Sequence, residues 1–143
     1  MYLFIGKIKM NDYTCRYISM GKAILGAFAA ALLMKFLILD FVVVDGYSMN
    51  PAIKPGTIVL VCKIFYGLKL PGSINYIVKW RFPREGDVVV FYTPLGEMAV
   101  KRCVEVLPDG FHAWGDNSSQ SYDSRDYGLV PHGNIIGKVL GIK

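Results

Sequence analysis

Seventeen consecutive residues, Ala23 to Leu39, carry a single charge, Lys35, and this run limits what the chain folds into more than any other feature. That length is at the short end for a helix that crosses a bilayer. Lys35 stands four residues from the far end, where its stem can reach the interface. Four cations, Lys7, Lys9, Arg16 and Lys22, precede the run against one acid, Asp12. The positive-inside rule then keeps Met1 in the cytosol and sends everything after Asp40 outside. The expected layout is a basic cytoplasmic tail at 1–22, an anchor at 23–40 and an extracytoplasmic domain at 41–143. A removable leader is the rival reading. Its A-x-A pattern, Ala27-Phe28-Ala29, lies inside the apolar run, so cutting there would leave Leu32 to Leu39 as an apolar terminus.

Beyond Asp40 about a hundred residues remain, enough for one modest core. Short β-prone runs are broken by glycine and proline there. Strands are expected at Phe41–Val44, Ile58–Cys62, Val88–Tyr92, Met98–Val106, Gly110–Trp114 and Ile135–Ile142. Turns are expected at Pro55-Gly56, Pro71-Gly72, Glu85-Gly86-Asp87, Pro94-Leu95-Gly96 and Pro108-Asp109-Gly110. The fold class is therefore mainly β, one transmembrane helix followed by a small antiparallel, barrel-like or folded sheet.

Charge and cysteine narrow the function classes. The net charge of +5 is scattered among aromatic residues; without a dense basic helix or zinc-ligand spacing it suits an anionic membrane better than nucleic acid. No glycine loop of the phosphate-binding kind is present. Cys15, Cys62 and Cys103 are too few and too irregular for a disulfide framework. They read as small buried hydrophobes, although Cys62 and Cys103 could pair in an oxidising compartment. No metal or cofactor is expected.

The chemistry-bearing residues begin at Gly46-Tyr47-Ser48-Met49-Asn50-Pro51, which sets a hydroxyl between glycine and proline just after a strand. Such a turn exposes a side chain and lets another backbone approach. Serine needs an adjacent base, and neither His112 nor His132 has a recognisable catalytic context. Lysine can serve if burial disfavours its charged form. Lys101, inside the apolar strand Met98-Ala99-Val100-Lys101-Arg102-Cys103-Val104, is the candidate, although a mid-strand lysine is more often a solvated face residue.

Four segments occur in order: Gly46-x-Ser48-Met49-x-Pro51, Gly86-Asp87-x-Val89-Val90-Phe91, Val100-Lys101-Arg102, and Gly115-Asp116-Asn117-x-x-x-Ser121-x-Asp123-Ser124-Arg125, before Gly128-x-Val130-Pro131. This series resembles the box sequence of type I signal peptidases. The resemblance implies Ser48 as nucleophile, Lys101 as general base and Ser121 as the hydroxyl that orients the lysine. It implies an Asp123–Arg125 ion pair, and a supporting turn at Gly115, Asp116 and Asn117. Val42, Val44 and Val100 would line shallow apolar subsites suited to Ala-x-Ala signals. The implied activity is a membrane-bound serine endopeptidase that cuts signal peptides from secreted precursors at the cytoplasmic membrane, in association with the secretion machinery. A dedicated maturation protease of the same chemistry, or a non-catalytic membrane-tethered binding module, are the alternatives.

Two departures accompany the resemblance. Gly46 stands where many members have a serine that completes the oxyanion hole, and Ala52 replaces a common threonine. Only a hairpin fits between Lys101 and Gly115, where larger members carry a second β domain. One stretch is an addition: residues 63–84 interleave aromatics with cations, which suits either a lipid interface or an ordinary hairpin with a basic face.

Overall fold

A computed structural model describes residues 12–142 apart from 71, 72 and 74, with side chains from residue 19 onward except 34. Lys7, Lys9, the Pro71-Gly72 turn and the side chains of Asp12, Cys15 and Arg16 lie outside the described residues. The chain forms two units, 1–34 and 35–143.

Helix α1 runs Asp12–Leu37. Its part Ser19–Leu37 has a mean hydropathy of 1.6 and is long and apolar enough to cross a bilayer. The last turn, Lys35 to Leu37, belongs to the second unit. Leu39 and Asp40 already pair in the first strand. The helical part of the expected 23–40 anchor therefore ends at Leu37, and helix begins well inside the expected tail. The β-branched run Val42-Val43-Val44 takes over at this point, because such side chains pack better on a pleated surface.

The second unit is built on a seven-stranded antiparallel sheet. Its strands are β1 (Leu39–Val44), β2 (Thr57–Cys62), β5 (Val88–Tyr92), β6 (Met98–Leu107), β7 (Gly110–Trp114), β8 (Val130–Pro131) and β9 (Ile135–Val139), in the order β1-β2-β9-β5-β6-β7-β8. A separate hairpin pairs β3 (Gly67–Lys69) with β4 (Tyr76–Lys79). The mainly antiparallel β expectation holds. β3, β4, β8 and the one-turn helix α2 (Ser124–Tyr127) are too short to leave a periodic signal in the sequence.

β5 sits mid-sheet and is buried on both faces from Val88 to Phe91. Val88 and Val90 enter one core with Val44, Met49, Val59, Val61 and Val139. Val89 and Phe91 enter a second with Tyr66, Cys103, Phe111 and Val130. Each fully buried side chain of this size stabilises the fold by about 1.5–3 kcal/mol, so one central strand ties both cores together. Cys62 and Cys103 are free thiols, and burial pushes the Cys103 thiol up to about 12.

Candidate active site

Ser48 lies on the loop that leaves β1. Met49 beside it is fully buried in the first core, which fixes the loop while Ser48 stays half-buried. The loop is a tight turn, with Asn50 N–H donating to Tyr47 O at 3.1 Å and Ile53 N–H to Met49 O at 2.8 Å. Pro51 follows a cis peptide and is exposed. The loop is held from the other side by Asn117. Its backbone N–H donates to Ser48 O at 2.9 Å and its Nδ2 to Tyr47 O at 3.3 Å.

Lys101, on β6, is 5% exposed. Its Nζ donates to Ser121 Oγ at 3.1 Å, and Ser121 Oγ donates its one proton to Asp123 Oδ2 at 2.6 Å. The hydroxyl is therefore an acceptor toward the lysine, and the amine keeps its lone pair free when uncharged. Asp123, fully buried, also accepts from Gly115 N–H at 2.9 Å and from Arg125 Nη2 at 2.7 Å. It caps α2 as well, through Arg125 N–H. Burial alone would raise its pKa, but the donors from Arg125, Ser121 and Gly115 hold it well below the usual carboxylate range. Lys101 is also shifted down, which for an amine favours the neutral form. Burial depresses its pKa, Asp123 pulls it back up in part, and Arg125 lowers it further.

Gly115 joins the two halves. A Cβ there would stand 2.3 Å from Ser121 Oγ and 2.5 Å from Ser48 O, so no other residue fits without displacing one of them. The Ser48 loop and the hydroxyl that holds the lysine thus touch the same glycine. Ser48 Oγ itself forms no hydrogen bond with Lys101 Nζ among the described residues, and lies 3.9 Å from where a Gly46 Cβ would be.

The remaining expected residues lie as follows. Val44 is buried in the first core, with Val42 and Val100 partly buried against it. Asp116 takes part in a contact the sequence did not suggest. It accepts both Arg102 Nε and Nη2 at 2.8 Å, a two-pronged pair that pins the 115–117 turn to β6. Opposite charges that flank a strand pairing were the available signal, since Arg102 faces Trp114 in the ladder. His132 is buried with Nε2 at 2.8 Å from Leu107 O, and neither histidine touches Ser48 or Lys101. Among the described residues no cluster of metal-ligating side chains exists. A cavity of about 430 Å³, lined by Val42, Val61, Leu70, Tyr92, Met98 and Ile136 among others, opens elsewhere and includes none of Ser48, Lys101 or Ser121.

The sequence is similar to known proteins along most of the chain. The family described as signal peptidase, peptidase S26, matches residues 17–110 and 100–142. Signal peptidase I of Buchnera aphidicola subsp. Schizaphis graminum is 29% identical over 106 residues, 74% of this chain and 34% of that protein. Its counterpart from Buchnera aphidicola subsp. Baizongia pistaciae is 34% identical over 99 residues, 64% of this chain and 32% of that protein. Mitochondrial inner membrane protease subunit 1 of Mus musculus is 31% identical over 113 residues, 69% of this chain and 66% of that protein. The chain thus spans about a third of the length of these bacterial relatives.

Proposed function

The chain belongs to the signal peptidase family, peptidase S26, and on that premise we propose that it is a membrane-bound serine endopeptidase with Ser48 as nucleophile and Lys101 as general base. What carries the reading is the depressed, buried amine of Lys101 on a hydroxyl whose own proton is committed to Asp123. Uncharged, Nζ takes the Ser48 proton as Oγ attacks the scissile carbonyl carbon. Collapse of the tetrahedral oxyanion breaks the C–N bond, and Nζ returns the proton to the leaving amine. Water, activated by the same amine, then hydrolyses the ester and frees Ser48. The Ser48 backbone N–H is the donor at hand for the oxyanion, because Gly46 offers no hydroxyl.

The substrates are precursors that carry signal peptides with small residues before the cut, where Val42, Val44 and Val100 exclude bulk. The topology in this reading has Met1 in the cytosol, α1 across the cytoplasmic membrane and the sheet outside. Detergent-purified full chain and its Ser48→Ala form, incubated with a synthetic precursor, test it by mass spectrometry. A single cut after the small-residue motif, absent with Ser48→Ala, is expected; a wild-type chain that leaves the precursor whole sinks the reading.

One observation favours a second reading, a dedicated maturation protease with one or few clients. Only the β6–β7 hairpin separates Lys101 from Gly115, which leaves little chain to build walls for varied substrates. A precursor panel that differs only before the cut separates the two: broad cleavage favours the general enzyme, one client the dedicated one.

A further inference from the structure

The β3–β4 hairpin takes no part in the Ser48–Lys101 cluster, and its two faces are unlike. Tyr76 on its inner face packs against the second core. On the outer face Leu68 pairs with Val78 and both are exposed, as are Ile77 at 56% and Trp80 at 55%. A hairpin with its outer face in water normally carries polar side chains there. From Lys63 to Arg84 the sequence holds five cations and no acid. Lys79 lies 3.7 Å from the centre of the Phe82 ring and Arg81 4.8 Å from that of Phe65, yet neither has a carboxylate partner among the described residues. Apolar side chains ringed by unpaired cations that sit on aromatic rings match the boundary between lipid tails and anionic headgroups.

The root of the hairpin is tied to the end of the apolar helix. Lys63 Nζ donates to Phe36 O at 3.2 Å and pairs with Asp40 at 2.8 Å. This segment therefore starts beside the last turn of α1, where a spanning chain leaves the bilayer. Trp80 Nε1 donates back to Phe65 O at 3.3 Å, which satisfies the ring's polar edge within the protein and leaves its apolar body outward.

We propose that the outer face of the β3–β4 hairpin lies in the headgroup layer of the anionic bilayer that α1 enters, with Leu68, Ile77, Val78 and Trp80 at the apolar boundary and Lys79 and Arg81 against lipid phosphates. The inference rests on reading α1 as a membrane span and is independent of the catalytic assignment.

Trp80 and Trp114 are the two tryptophans of the chain, so each can be isolated by replacing the other with phenylalanine. The full-length Trp114→Phe and Trp80→Phe forms are placed in lipid nanodiscs whose acyl chains are brominated or plain, made of phosphatidylglycerol or phosphatidylcholine. Bromine is expected to quench Trp80 and spare Trp114, more strongly in phosphatidylglycerol. Lys79→Glu with Arg81→Glu should reduce the Trp80 quenching in phosphatidylglycerol and leave it unchanged in phosphatidylcholine. Unquenched Trp80 in a chain that stays with the discs, or equal quenching in both lipids, overturns this proposal alone. A chain that elutes free of the discs overturns the span as well.

Discussion

Two lysines flank the same residue of the central strand and live in opposite electrostatic worlds. Val89 of β5 pairs with Lys101 of β6 on one side and with Lys138 of β9 on the other, so both side chains leave the sheet on its face. Lys138 Nζ meets Asp87 Oδ1 at 2.5 Å, and Asp87 also accepts from Tyr66 Oη at 2.9 Å. Among the described residues Lys101 Nζ hydrogen-bonds only a hydroxyl, and Asp123 beyond it is already engaged by Ser121, Gly115 and Arg125. A carboxylate partner makes a lysine a structural cation. A hydroxyl partner in a buried place leaves it free to lose its proton, which is what a base requires.

The sharpest way to break the comparison is to remove each amine in turn. Lys101→Met should cut precursor cleavage by about 10⁴-fold, the upper range for a lost general base, with the fold intact. Lys101→Arg should be as inactive, because guanidinium does not deprotonate. Lys138→Met should leave kcat alone and cost about 1–3 kcal/mol of stability, since Asp87 is then left without its cation. Cleavage by either Lys101 variant at the wild-type rate would end the base assignment.

The pH profile sharpens it next. Burial depresses the Lys101 pKa below the ordinary 10.5, so the folded chain sheds this proton at lower pH than the unfolded one. The unfolded state then binds more protons between the two values, and stability rises with pH across that window. Activity should rise in the same direction, about tenfold per pH unit while Lys101 is mostly protonated, and level off above its folded pKa. Lys101→Met should lose the Lys101 part of the stability rise, measured by urea unfolding at several pH values. A wild-type rate that shows no rise anywhere between acidic and alkaline pH, or that falls, contradicts a neutral-amine mechanism.

The Lys101 side of this contrast and much of the fold were legible in the sequence; the Lys138–Asp87 pair was not. The central strands, with continuous or alternating apolar runs such as Val88–Phe91, were readable from pattern alone, and so was the apolar helix. The box residues marked Ser48, Lys101, Ser121, Asp123 and Arg125, whose geometry comes from contacts far apart in the chain. Two further features were hidden. The helix end at Leu37 was unreadable because Ile38 and Leu39 are as apolar as the helix before them, so hydropathy marks no boundary where β-pairing with Cys62 begins. The Arg102–Asp116 clamp joins residues 14 positions apart and depends on the β6–β7 register, which slips between Cys103 and Glu105. No local rule predicts that slip.

A milder variant acts on the structural lysine. Asp87→Asn keeps the shape but removes the charge that Lys138 and the Arg84 N–H use. It should lower stability by about 1–2 kcal/mol, in the range for a hydrogen bond to a charged group, with kcat unchanged per folded molecule. A fall in kcat without a fall in stability would mean that the two lysines are coupled through Val89, and the division between structural and catalytic cation would fail.

The smallest expected effect probes the hydroxyl that separates the two cases. Ser121→Ala removes the acceptor 3.1 Å from Lys101 Nζ and the donor 2.6 Å from Asp123, while Gly115 N–H and Arg125 still hold the carboxylate. A neutral hydrogen bond contributes about 1 kcal/mol, so kcat should fall about fivefold, much less than for Lys101→Met. The direction of the pH shift is the more telling readout. Without Ser121 the amine loses a partner that accepts from its charged and neutral forms alike, while burial and the Asp123 charge act on it as before. The activity rise should therefore keep its slope and move little along the pH axis. A large alkaline displacement would mean that the amine has turned to Asp123 and become a paired cation like Lys138, which would make Ser121 a spacer between charges rather than an orienting group.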